Sequence, residues 1–184
     1  MNRFFDYFVP GTATALVQAR ARVVAAACLA LAAAVLALLL YWIIFSWLEQ
    51  IETIGLGLVL VLILAGILAL LRRGRVGAAA WTLSVLVLLL NLANMLDYGI
   101  GTTSSAGFVI AILLAAFSLG PGMGLVTAAL GSLAAFGITL AAAGGMIQTE
   151  IPYQQSNLSF DAVTLTLIYL LVGLLSAVWG KATA

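Results

Sequence analysis

Long apolar runs alternate with short polar or glycine-bearing breaks along the whole chain. The runs cover about residues 23–48, 54–71, 76–96, 104–119, 125–147 and 161–180, and one helical crossing of a bilayer needs roughly 20 apolar residues. The breaks carry Glu49 and Glu52, then Arg72, Arg73, Gly74 and Arg75, then the polar stretch 97–105, then Gly120 to Gly124 around Pro121, and last the long loop 148–160. Thr102, Thr103, Ser104 and Ser105 are helix-capping candidates ahead of the fourth run. Residues 1–22, with Phe4, Phe5, Phe8, Pro10, Arg20 and Arg22, are too interrupted to span and are expected to lie in the membrane interface. The expected fold is an all-α polytopic transmembrane bundle of six spans over 23–180, followed by a short tail, 181–184. The first run continues well past the length of a signal-peptide core, so it is expected to be retained.

Charge placement orients the bundle. Arg3, Arg20, Arg22, Arg72, Arg73, Arg75 and Lys181 all fall on one side when the breaks are taken alternately. That side is expected to be the cytoplasm, with both termini on it, because basic residues are retained there. Glu49, Glu52, Asp97, Glu150 and Asp161 fall on the other side, and only Asp6 joins the basic set. Tyr41, Trp42, Trp47, Tyr98 and Tyr153 then mark the outer interface, and Trp81 and Trp179 the inner one. The expected location is the inner, plasma membrane of a bacterium.

Composition removes most chemistry. Of 184 residues 65% are hydrophobic, seven are basic and six acidic, far from the quarter of charged residues usual in soluble domains. There is no histidine, the common general base, haem ligand and metal ligand. The single cysteine, Cys28, lies inside the first run and can form no intrachain disulfide. The one lysine, Lys181, stands at the end of the last run, which argues against a buried Schiff base. Gly131-Ser132-Leu133 is not a nucleophile elbow, and Asp97 and Asp161 stand at run ends rather than mid-span. No catalytic, cofactor or metal residue is expected, and no nucleic-acid partner; the chain reads as a non-enzyme.

Three features remain that could carry function. Lipid offers helices little hydrophobic reason to associate, so small residues at spacing four are the expected packing faces: Ala26, Ala30 and Ala34; Gly124, Ala128 and Ser132; Gly173 and Ala177, beside Ser176 and Gly180. Each serves either packing within the chain or, most of all on the first run, contact with another subunit. Asn91, Asn94 and Asp97, next to Tyr98, recur at spacing three near the outer end of the third run. They either lock the bundle by interhelical hydrogen bonds or line an outer polar pocket together with Tyr153, Gln154, Ser156 or Asp161; Thr164, Thr166 and Tyr169 are weaker candidates of the same kind. The turn Arg72, Arg73, Arg75 either sets topology or also contacts anionic lipid headgroups.

The stretch Ala115-Ala116-Phe117-Ser118-Leu119-Gly120-Pro121-Gly122-Met123-Gly124, with Arg72 to Ala80 and Ile151-Pro152, resembles the multi-span input regions that precede kinase or cyclase modules in bacterial membrane sensors. That resemblance implies a sensory or scaffolding role, with a stimulus site in the bundle or at its outer face. No coiled-coil linker or output module follows up to Ala184, and such an input region would need one to transmit a signal. The stripe Ala26, Ala30, Ala34 is similar to the small-residue face by which substrate-binding subunits of energy-coupling-factor transporters dock their partner. Both likenesses imply a protein that works by contact. The leading expectation is a non-catalytic accessory subunit of a larger membrane assembly, such as a respiratory or photosynthetic electron-transfer complex, embedded in lipid beside other integral subunits. A sensory input domain comes second and a small-molecule-binding subunit of a vitamin-type transporter third.

Overall fold

The computed structural model describes residues 14–45, 51–99, 103–147 and 158–182. These form six α-helices: α1 Ala15–Phe45, α2 Ile51–Arg72, α3 Val76–Tyr98, α4 Thr103–Ser118, α5 Pro121–Ala143 and α6 Leu158–Ala182. Four of them, α1, α2, α3 and α5, are long and apolar enough to cross a membrane, and the protein is an all-α membrane protein. Helix is the form these runs must take in lipid, where no water is at hand for an unpaired backbone amide. Much of the expected interfacial segment, Thr102, the loop with Tyr153, Gln154 and Ser156, and the last two residues lie outside the described residues.

Helix ends depart from the apolar runs in an orderly way. α1 starts at Ala15, eight residues ahead of the first run, so Arg20 and Arg22 stand on the helix itself. Ala, Leu, Val and Gln before Arg20 are compatible with helix even where they are too polar to cross. α5 starts at Pro121 rather than near Leu125, because proline suits the first helical position, where no amide partner is needed. Gly120 precedes it with φ 118 and ψ 165, a conformation essentially restricted to glycine. Its carbonyl accepts the amides of Met123 and Gly124. The expected five-residue break is thus a two-residue corner at Leu119 and Gly120.

The turn from α2 to α3 is a Schellman motif. The Arg75 amide donates to the Leu70 carbonyl and the Gly74 amide to the Leu71 carbonyl, at 3.0 and 2.9 Å, with Gly74 left-handed at φ 75. Arg75 in turn accepts the first bond of α3, from Ala79. The end of α5 repeats the motif, with Met146 donating to Ala141, Gly145 to Ala142, and Gly145 at φ 70.

The chain divides into two compact units, residues 1–83 and 84–184. In the first, α1 packs on α2. Their register is set where Leu39 meets Gly57: a Cβ on Gly57 would stand 2.6 Å from Leu39 Cδ2. Leu39 lies six residues before the end of α1 and Gly57 six after the start of α2, so the two helices run antiparallel. Counting equal steps from that pair brings Ala25 level with Leu71, and both are fully buried. The rest of the buried face follows, Ala21, Val24 and Cys28 on α1 with Leu64 and Ile67 on α2.

In the second unit α4, α5 and α6 pack on one another, together with the later part of α3. The core is Met95 of α3, Phe108 and Ile112 of α4, Ala128, Ala135 and Ile138 of α5, and Ala162 and Tyr169 of α6. Glycines let the backbones approach. A Cβ on Gly131 would stand 2.9 Å from Phe108 and 3.3 Å from Tyr169, and one on Gly173 would stand 2.8 Å from the Ala128 Cβ. The Phe108 and Tyr169 rings meet over Gly131, centroids 5.6 Å apart and tilted 36°.

Candidate functional site

Polar side chains in an apolar medium must find partners, and most here bond to their own helix. Ser118, Thr127, Ser132, Thr139 and Ser176 each donate to the carbonyl four residues back, at 2.6 to 2.9 Å. This satisfies the hydroxyl's proton locally and leaves no donor with which to specify a partner helix. Among the described residues two hydroxyls, Ser84 Oγ of α3 and Thr166 Oγ1 of α6, are buried without a hydrogen-bond partner. Thr166 was a candidate on sequence grounds; Ser84 was not. The signal for it was there, since Ser84 stands one heptad before Asn91 and so on the same side of α3.

The polar line on α3 separates as it rises. Three residues of α-helix turn about 300°, so residues at spacing three drift about 60° per step, and Asp97 ends far around the helix from Asn91. Asn91 turns inward: its Nδ2 donates to the Val87 carbonyl at 2.7 Å, and its carbonyl end faces Gly107 of α4. A Cβ on Gly107 would overlap that amide, 2.6 Å from its Cγ. Asn94 is half-buried, while Asp97 and Tyr98 are exposed. Gly107 was not legible as part of this site, because a glycine near a helix start reads as local flexibility.

Small-residue stripes divide into two kinds. Gly124, Ala128, Ser132, Gly173 and Ala177 are buried in the second unit, where Gly124 admits Ala116 of α4 and Ala128 meets Gly173 of α6. Ala26, Ala30 and Ala34 are exposed, on a different face of α1 from the buried Ala21, Val24, Ala25 and Cys28.

A groove of about 470 Å³ runs between α4 and α6, walled by Leu113, Phe117, Val172 and Leu175. Its one polar lining residue is Ser176, whose hydroxyl is turned onto the Val172 carbonyl. The groove therefore offers hydrocarbon contact and no free hydrogen-bond donor. Arg72, Arg73 and Arg75 are exposed at the α2–α3 turn. No family model, no curated protein and no solved structure matches this chain.

Proposed function

We propose that this chain is a non-catalytic accessory subunit of a larger assembly in a bacterial plasma membrane, six spans with both termini cytoplasmic, docked on another integral subunit through the Ala26, Ala30, Ala34 face of α1. An electron-transfer complex is the first such assembly to test.

One observation carries the reading. The small-residue stripes of α5 and α6 are used up inside the second unit, whereas the stripe of α1 is exposed along its length. Alanines at spacing four allow a partner helix to approach closely, and in lipid that close approach is what holds helices together. The six-span arrangement draws support from charge spacing. From Arg22 to Tyr41 α1 rises about 28 Å, and from Glu52 to Arg72 α2 rises about 30 Å, each close to the roughly 30 Å of a hydrocarbon core. α4, with 16 residues, rises about 24 Å, and completes the six with a short, locally thinned crossing.

Mild-detergent purification of the tagged protein, with mass spectrometry of what accompanies it and an absorption spectrum, tests the proposal. Stoichiometric integral subunits should co-purify, and Ala30→Phe should release them while the chain stays folded. A chain that purifies alone, or a complex indifferent to bulky substitutions at Ala26, Ala30 and Ala34, would sink it.

A solute-binding role, as sensor input or transporter subunit, is the second reading. It is favoured by Ser84 and Thr166, whose buried hydroxyls lack protein partners and are of the kind that a solute or an ordered water satisfies.

A further inference from the structure

Thr82, Ser118, Thr127, Ser132, Thr139 and Ser176, on α3, α4, α5 and α6, all donate to the carbonyl four residues back. Thr166 of α6 has the same acceptor on offer at Ala162 and passes it over; its Oγ1 is buried without a protein partner. Two close contacts between α5 and α6 fix what it faces. Gly173 lies against Ala128, and Tyr169 against Gly131, so the two helices run antiparallel. One heptad along either helix returns to nearly the same side. Taken forward on α5 and back on α6, that step carries Gly131 and Tyr169 to Ile138 and Ala162, which are both buried in the core of the second unit. It carries Ala128 and Gly173 to Ala135 and Thr166, and Ala135 is fully buried. One turn beyond Ala135 stands Thr139, also buried, its hydroxyl proton engaged at the Ala135 carbonyl at 2.7 Å.

Helical side chains lean toward the N-terminus of their own helix. In this antiparallel pair Thr166 therefore leans toward the level of Thr139, and Thr139 leans back toward Thr166, across a rise of about 6 Å between their Cα levels. We propose that a single ordered water molecule bridges these two hydroxyls and ties α6 to α5. Thr166 Oγ1 donates to the water, and the water donates to Thr139 Oγ1, which keeps a lone pair although its own proton is engaged. The Ala162 carbonyl, one turn before Thr166, has a second lone pair for the water's other hydrogen. Three such partners are the usual number for a buried water. One heptad away the backbones approach so closely that a Cβ on Gly173 would stand 2.8 Å from the Ala128 Cβ, which favours a ligand of one heavy atom over a larger solute. The bridge stands apart from the docking face of α1, and gives Thr166 a water where the second functional reading would place a solute.

The test uses the full chain in detergent, with isotope-labelled alanine methyl groups and magnetisation transferred from water in an NMR experiment. In wild type the Ala135 methyl should receive transfer from a long-lived water. T166V, which keeps the shape and loses the hydroxyl, should abolish it, and T166S should keep it. T166V should also raise the unfolding constant about fivefold, the worth of one net hydrogen bond. Adding T139V should then cost less than T139V does alone, because the two hydroxyls share one ligand. Absence of transfer to Ala135 in wild type would overturn the proposal, and so would transfer that survives T166V. An unfolding constant that T166V leaves unchanged or lowers would overturn it too, as the result for a hydroxyl that bonds nothing or turns back onto Ala162. A co-purifying solute whose removal abolishes the effect of T166V would overturn it in favour of the second functional reading.

Discussion

The carboxamide of Asn91 on α3 fills the space that a Cβ on Gly107 of α4 would need. The two residues are a fitted pair: the amide bonds back to Val87 on one side and closes against bare backbone on the other. Gly107→Ala should therefore destabilise the second unit by about 1–3 kcal/mol, the usual range for overpacking. Asn91→Ala should recover most of that loss in the double variant, as expected for side chains in direct contact. Thermal unfolding in detergent of the two single variants and the double variant measures the coupling; additive losses would mean that the two do not touch.

Gly131 lies under the Phe108 and Tyr169 rings, whereas Gly137, six residues later on α5, has nothing within 4 Å of where a Cβ would stand. Gly131→Val should cost about 1–3 kcal/mol by forcing the rings apart. Gly137→Ala should be neutral or stabilise by up to about 1 kcal/mol through helix propensity. Unfolding midpoints of the two variants side by side check the contrast.

Gly120 and Gly74 both close corners, at φ 118 and φ 75. Asparagine tolerates the second conformation and not the first. Gly74→Asn should thus cost well under 1 kcal/mol, and Gly120→Asn about 1–3 kcal/mol, in the same unfolding assay.

Ser84→Ala and Thr166→Val remove hydroxyls that are buried without protein partners. If nothing else bonds them, each variant should be more stable by about 1 kcal/mol, because a desolvated, unpaired group is removed. Loss of stability in either variant, together with loss of a co-purifying solute, would support the second functional reading.

Ala30 is exposed on α1 and Ala128 is fully buried on α5. Phenylalanine at position 30 should leave the unfolding midpoint of the isolated chain unchanged and abolish partner retention; at position 128 it should unfold the chain. Size-exclusion profiles and subunit stoichiometry distinguish the two.

On α3, Asn91 is legible from the sequence as an inward polar residue, because an amide in an apolar run cannot be ignored. Its partner Gly107 and its neighbour Ser84 were not found, since glycine and serine are common in membrane helices and most serines bond to their own backbone, as Ser118 and Ser132 do here. Asn94 and Asp97 were grouped with Asn91 by spacing, and the 60° drift per step separates them. The three small-residue stripes looked alike as sequence; two are core and one is surface.

Apolar runs of bilayer length, with every charge near a run end, suffice to make this an all-α membrane protein, because lipid admits no unpaired backbone and no solvent-free charge without a partner. Gly74, Gly120 and Pro121 likewise mark their corners through their own backbone limits. Which side of each helix is buried had to come from the tertiary structure. In a soluble helix a polar face announces the outside, but here Leu, Val and Ala surround every helix, and hydrophobicity does not tell lipid from core. Steric fit decides instead: Leu39 over Gly57 sets the register of α1 on α2, while Phe108 and Tyr169 over Gly131 turn α4 and α6 onto α5.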